Sequence, residues 1–389
     1  MTVNMVRYAE FFAQPLSLFG AGARRKLMDH LRGFSARRVM LCTDAGLMAA
    51  GLGDEMLHLL QEVAALDVVV FDGVVANPTE ACVQKGVAFY KEHGCDMILS
   101  LGGGSAHDAA KAIAVMVSHD GALWDYVGLN KLKNPLPPLV AVNTTAGTGS
   151  EVTRFAVLTH VAKKTKVTIV DRRLIPCIAV NDPELMVSLP PALTAQTGMD
   201  ALTHAIEAYL SRMATPLTDA CAMKAVELIG EYLPKAYAVG TDMEARSAMA
   251  YAQYLAGIAT NNAGAGAVHA VAHQLGGFYN LPHGLCNAVL LPWVLAYNAG
   301  ECAERLLRIG DALTGGLKAR SAQDGAQKTA ETLRVFMRHL DLPNRLGTIG
   351  VKEGDLSDIA RQAVEDPTMW TNPRRATPKD IQGILQTAL

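Results

Sequence analysis

Short, mostly apolar runs alternate with amphipathic stretches through the first half of the chain. Val39–Thr43, Asp67–Phe71, Met97–Leu101, Leu139–Asn143 and Ile178–Asn181 are four to five residues long and rich in branched side chains. Met48–Ala64 and Thr79–His93, which lie between them, carry apolar residues at helical spacing. This alternation predicts an α/β domain, with a parallel, Rossmann-like sheet covered by helices on both faces. Val167–Val170 is a further strand, and with Ala156–His160 it forms a hairpin across the turn at Lys163 and Lys164.

The pattern changes after Pro190 and Pro191. Ala- and Leu-rich segments with helical periodicity follow: Ala192–Ser211, Thr218–Val239, Met243–Thr260, Val268–Gly276, Leu285–Ala299 and Ala322–His339. No strand pattern occurs there. Proline continues neither a helix nor a sheet ladder, so the pair marks a boundary. The expectation is an α/β domain over residues 1–188 and an all-helical domain over residues 189–389.

Composition narrows the picture. Half of the 389 residues are hydrophobic and 19% are charged, so the chain buries a large core and extended disorder is excluded. Thirty-five Lys plus Arg against 37 Asp plus Glu leave no basic surplus, and no nucleic-acid partner is expected. From Ser247 to Gly300 there is no Asp, Glu, Lys or Arg. That stretch is long enough for two membrane spans of about 20 residues. It nevertheless holds Asn261, Asn262, His269, His273, Gln274, Asn280 and His283, which are costly in lipid. It reads as protein interior, with no membrane partner. Seven widely spaced cysteines without a Cys-x-x-Cys pair fit a reducing cytoplasm. The N-terminus lacks the pattern of a signal peptide.

Three polar clusters follow strands. Met97–Leu101 runs into Gly102-Gly103-Gly104-Ser105-Ala-His-Asp108 and then a helical pattern. Glycines let a phosphate approach the backbone, and free N–H groups at a helix start favour an anion. A tight strand–helix turn is the alternative. The placement differs from the usual dinucleotide fingerprint, in which glycines follow the first strand and the acidic residue comes later. Here Asp44 comes earlier, at the end of Val39–Thr43, either accepting from ribose hydroxyls or capping a helix. The third cluster is Asn143-Thr144-Thr145-Ala-Gly-Thr148-Gly-Ser150. Together they suggest a nucleotide crevice beyond the carboxyl ends of the strands.

The helical half carries the sharper signal. Asp200 and His204 are spaced i, i+4, as are His269 and His273, so each pair shares a helix face. His283 follows on a predicted loop. Each could be a hydrogen-bonded core histidine. Four of the eleven histidines, with an Asp and few other ionisable groups nearby, favour a divalent metal site instead.

These motifs resemble the iron-containing (group III) alcohol dehydrogenases along essentially the whole chain. The likeness is carried by Gly102 to Asp108, Thr144 to Thr153, Pro190 to Tyr209, His269 to Gly276, Gly277 to Gly284 and Asn372-Pro-Arg374. It implies a dehydroquinate synthase-like architecture and hydride transfer between an alcohol or aldehyde and NAD, assisted by a divalent metal. It also implies that Asp200, His204, His269 and His283 are metal ligands and that His273 is an unliganded proton relay. Gly102, Gly103, Gly104 and Ser105 would cradle the pyrophosphate. Asp44 would hold the adenosine ribose and favour NAD over NADP. Asn77, Thr144, Thr145, Thr148 and Lys166 would line the cofactor site, with the reaction in the cleft between the domains. The metal would be Fe²⁺, with Zn²⁺ or another divalent ion as alternatives. The assembly would be a homo-oligomer, a dimer or larger.

Two departures bear on the substrate. The family often has an aromatic where this chain has Thr260 and a leucine where it has Ala265. A roomier or more polar pocket is expected, with Phe155 and Trp370 as further walls. A lactaldehyde/1,2-propanediol-type oxidoreductase is a close variant. A non-redox cyclase of the dehydroquinate synthase type is the alternative from another class, but it would need basic residues that the charge-free stretch lacks.

Overall fold

The computed structural model describes residues 8–62 and 66–389. These form two compact units. One comprises Phe12–Thr145 and Gly149–Val187; the other contains Ser188–Leu389 and Ala146–Thr148.

The first unit is built on nine strands: β1 (Leu16–Phe19), β2 (Arg38–Cys42), β3 (Asp67–Phe71), β4 (Met97–Gly102), β5 (Gly128–Leu129), β6 (Leu139–Asn143), β7 (Phe155–His160), β8 (Thr165–Val170) and β9 (Ile178–Asn181). Six of them form a fully parallel sheet in the order β1-β9-β6-β4-β2-β3. Five helices belong to this unit: α1 (Ala23–Leu31), α2 (Ala45–Ala49), α3 (Leu52–Gln61), α4 (Glu80–Glu92) and α5 (Gly104–Ser118). Alternate residues of β2 enter different cores. Val39 and Leu41 join Leu27 of α1 and Met56 of α3, whereas Met40 and Cys42 join Val83 of α4 and Ile113 of α5. The sheet is therefore covered on both faces, which is why its strands are apolar at nearly every position.

Three details differ from the sequence reading. β1 was not foreseen, because four half-buried residues at a sheet edge carry little periodicity. The segment expected as one helix over Met48–Ala64 is two, broken at Gly51 with φ +78°; residues 63 and 64 lie outside those described. β7 and β8 form the expected antiparallel hairpin, and β5 adds parallel to β8, giving a second, three-stranded sheet.

The second unit is helical: α6 (Pro191–Leu210), α7 (Pro216–Ala238), α8 (Met243–Ala263), α9 (Ala267–Tyr279), α10 (His283–Thr314, with a break at Cys302), α11 (Ala322–His339), α12 (Leu356–Glu365) and α13 (Pro378–Ala388). Pro191 is the first residue of α6, where a fixed φ and a missing N–H cost nothing. The last two helices were not anticipated. The uncharged stretch from Ser247 to Gly300 forms most of α8, all of α9 and the first half of α10, and Ala267–Gly276 is buried at every position. Among the described residues no helix is long and apolar enough to cross a membrane.

Close packing of α10 on α6 depends on Gly284. A Cβ there would lie 2.2 Å from the Gln196 carbonyl oxygen and 3.3 Å from the Asp200 Cβ. Only glycine lets the start of α10 press this tightly against α6, and that contact brings His283 to Asp200.

Candidate active site

In the helical unit, α6 supplies Asp200, His204 and Glu207 on one face, since residues four and seven apart project the same way. α9 supplies His269 and His273. α10 supplies His283, which is its first residue and not part of a loop as expected. Asp200 Oδ1 lies 3.8 Å from His269 Nε2 and 3.6 Å from His283 Nε2. The three ligand-type atoms fall within 4.8 Å of one another. A cation held at about 2.1 Å in a tetrahedral site separates its ligands by roughly 3.4 Å, so the spacing suits one.

His204 borders this group. Its Nδ1 is 3.9 Å from Asp200 Oδ1, and its ring centroid is 4.3 Å from that of His269. The Nδ1 is buried without a hydrogen-bond partner. Burial, reinforced by His269 and His273, pushes the His204 imidazole well below its ordinary pKa. A buried, neutral, unpartnered imidazole nitrogen is the state that a metal uses. The donor set of one carboxylate and imidazoles fits a borderline divalent ion.

Glu207 anchors the group. It accepts from His269 Nδ1 at 2.6 Å and from the backbone N–H groups of Gly266 and Val268 at 2.9 and 2.6 Å. Gly266, the residue before α9, has no side chain to cap that helix, so the Glu207 carboxylate takes the role from α6. Burial opposes charge on His269, but the hydrogen bond and the negative charge of Glu207 outweigh it and raise its pKa. His273 stands outside the convergent trio. Its Nδ1 is 2.8 Å from Asp366 Oδ2, and its ring stacks on that of His283 with centroids 5.5 Å apart. Burial works to raise the Asp366 carboxyl, yet His273 and Thr368 bring it below its ordinary value.

In the α/β unit, β2 and β4 are neighbours whose connections leave in opposite directions, to β3 and to β6. Such a reversal opens a crevice at the carboxyl ends. Asp44 lies just beyond β2, Gly102 ends β4, and Gly103 leads into α5, which Gly104 and Ser105 begin. Gly102 has φ +151°, and a Cβ there would meet Ala106 at 2.6 Å; one on Gly103 would meet Thr145 Oγ1 at 2.8 Å. Asn77, itself at φ +55°, donates its N–H to Ser105 Oγ at 3.3 Å. Thr144 donates to the Gly102 carbonyl at 3.0 Å. Asp44 caps α2 by accepting from Leu47 N–H at 3.0 Å, the alternative role considered above, and a carboxylate so engaged still has acceptor capacity. Lys166 lies on β8, outside the parallel sheet. Thr148 belongs to the segment grouped with the helical unit.

Behind the loop, Lys111 is fully buried. It donates to the carbonyls of Ser150, Thr153 and Phe155 at 2.6, 2.8 and 2.7 Å, fixing the segment that carries Phe155. Burial lowers its pKa to about 8 despite Asp108 and Glu151.

Of the expected pocket residues, Thr260 and Ala265 are buried, and the Thr260 hydroxyl donates to the His204 carbonyl at 3.1 Å. Phe155 is half-buried, and Trp370 is 74% exposed.

The iron-containing alcohol dehydrogenase family model matches residues 15–183, and that of the family's C-terminal region matches residues 194–389. The NAD-dependent methanol dehydrogenase of Bacillus methanolicus is 44% identical over 379 residues, 97% of this chain and 99% of that protein. The 1,3-propanediol dehydrogenase of Klebsiella pneumoniae is 44% identical over 384 residues, 98% of this chain and 99% of that one. A crystal structure of 1,3-propanediol oxidoreductase superposes with a TM-score of 0.95 at 43% identity, covering 98% of this chain and all of the other.

The chain belongs to the iron-containing alcohol dehydrogenase family.

As a member it is an oxidoreductase acting on alcohols and aldehydes, and the cyclase alternative falls away. Three buried residues at its site escaped the sequence reading. Glu207 was signalled by its place on the Asp200 face of α6. Asn287 was signalled by i, i+4 spacing from His283. Asp366 is 93 residues from His273 and had no local signal.

Proposed function

We propose that the protein catalyses NAD-linked interconversion of short primary alcohols or terminal diols with their aldehydes. Residues 1–188 would bind the dinucleotide and residues 189–389 the metal. The convergence of Asp200 Oδ1, His269 Nε2 and His283 Nε2 carries this reading, with His204 as the fourth ligand. The relatives named for methanol and 1,3-propanediol support the substrate class. We assign Fe²⁺ as the resident ion, with Zn²⁺ competing where it is abundant.

Bound there, a divalent ion would supply Lewis-acid polarisation of an alcohol oxygen, and NAD would supply the hydride acceptor. The protein's own groups do the rest. Glu207 holds His269 as the Nδ1–H tautomer, so its Nε2 lone pair faces Asp200. Asp366 holds His273 in the same way, leaving His273 Nε2 as a proton acceptor. Gly102 to Ser105, Asn77, Thr144, Thr145, Thr148 and Lys166 would receive the pyrophosphate and nicotinamide ribose, and Asp44 the adenosine ribose. Thr260, whose hydroxyl holds the His204 carbonyl, and Ala265 would be substrate-determining positions of the helical unit, their small side chains suiting a diol. A cytoplasmic homo-oligomer completes the proposal. The seven free thiols suit a reducing compartment.

The test is NADH formation by Fe²⁺- or Zn²⁺-reconstituted protein over a panel of primary alcohols and diols, beside His269→Ala. Turnover by the native chain and its loss in the variant are expected. Full activity of His269→Ala would overturn the metal assignment.

A further inference from the structure

Asn287 is fully buried one turn after His283 on α10. Its Nδ2 lies 2.6 Å from Asp200 Oδ1, 3.2 Å from His269 Nε2 and 3.2 Å from His283 Nε2. One amide nitrogen therefore faces all three atoms of the convergent trio. The Oδ1 of the same amide is buried without a hydrogen-bond partner. Turning the amide over would set that oxygen against the Asp200 carboxylate oxygen, which can only accept, so this contact selects the orientation with nitrogen inward.

An NH₂ group has two protons for these three neighbouring atoms. The short contact to the carboxylate takes one, and the two histidine nitrogens share the other. The carboxylate bond is charge-assisted and is the strong one. The histidine contacts are the ones given up when their lone pairs turn to a cation.

We propose that Asn287 is a positioning residue for metal loading. Its N–H holds Asp200 Oδ1 toward His269 and His283, keeping three lone pairs converged before a cation arrives, and stays on Asp200 afterwards. This rests on the reading of Asp200, His269 and His283 as ligands.

Two variants separate this role from packing. Asn287→Leu keeps much of the volume but removes the donor that holds Asp200 Oδ1, which in the native chain lies 3.8 Å from His269 Nε2 and 3.6 Å from His283 Nε2. Asn287→Asp keeps the shape but replaces a donor with a negatively charged acceptor. That change disfavours the metal-free cage and favours the loaded one.

The experiment uses the full-length protein loaded with Zn²⁺. Release to excess chromogenic chelator is timed, and melting temperatures are taken with chelator and with Zn²⁺. Asn287→Leu is expected to release Zn²⁺ about 10- to 100-fold faster than the native chain. Asn287→Asp is expected to melt lower without metal and to gain more from Zn²⁺ than the native chain gains. A native release rate in Asn287→Leu, or a native Zn²⁺-induced rise in Asn287→Asp, overturns the proposal. Should Asn287→Leu fail to fold, the isosteric Asn287→Asp decides alone. His283→Ala is the reference. Slow release that survives in His283→Ala refutes the ligand reading itself, whereas its loss there with native release in Asn287→Leu refutes only the role of Asn287.

Discussion

The Glu207 carboxylate accepts a hydrogen bond from His269 Nδ1 at 2.6 Å while also capping the start of α9 through Gly266 and Val268. One buried side chain thus fixes both the tautomer of a candidate ligand and the helix that carries it. Glu207→Ala leaves two or three buried N–H groups unpaired at about 1–3 kcal/mol each. The expected outcome is a loss of several kcal/mol by denaturant unfolding and at least tenfold weaker metal retention. Native stability with native metal content would refute it.

The Asp366–His273 pair predicts a different signature. Asp366→Asn keeps the shape but removes the charge that orients His273. kcat for alcohol oxidation should fall about 10²-fold with KM for NAD nearly unchanged, and its pH profile should shift. Steady-state kinetics over pH 6–10 check this. A change confined to KM would place His273 outside the proton path.

His107, fully buried on α5 and hydrogen-bonded to Ser100 Oγ at 2.8 Å, gives a pH prediction for stability. Burial, aided by Lys111, takes it from 6.5 down to about 3. A depressed pKa means that the folded state binds fewer protons, so the stability it contributes is complete above pH 6.5. That stability is lost as pH falls from 6.5 toward 3, by up to about 1.4 kcal/mol per pH unit. His107→Gln should therefore show a shallower decline than the native chain between pH 6.5 and 4, although it starts from a lower value. Parallel urea-unfolding curves across that range would contradict the assignment.

Thr260 tests the substrate reading. Its buried hydroxyl holds the His204 carbonyl, so Thr260→Phe both overfills the site and breaks that bond. A stability loss of about 1–3 kcal/mol is expected. Below the melting temperature of the variant, its kcat/KM should move toward small alcohols relative to bulkier ones. Thr260→Val, which removes only the hydroxyl, should not change that ratio. An unchanged ratio in Thr260→Phe would remove Thr260 from the pocket.

Local pattern determined much of this molecule. Strands buried on both faces need unbroken apolar runs, and helices need apolar spacing, so β2, β3, β4, β6 and β9 and the helices from α6 to α11 were all readable. Asp200 with His204, and His269 with His273, were readable because i, i+4 spacing places side chains together within one helix. The tertiary structure alone decided which of these groups meet. Asp200, His269 and His283 come from three helices, and their convergence requires the Gly284–Gln196 contact, which no periodicity encodes. Asp366 reaches His273 across 93 residues. Asn287 and Glu207 share helix faces with His283 and Asp200, but which groups they bond is decided only once the neighbouring helices are in place. A buried polar group is defined by what faces it, and that is settled by packing between elements.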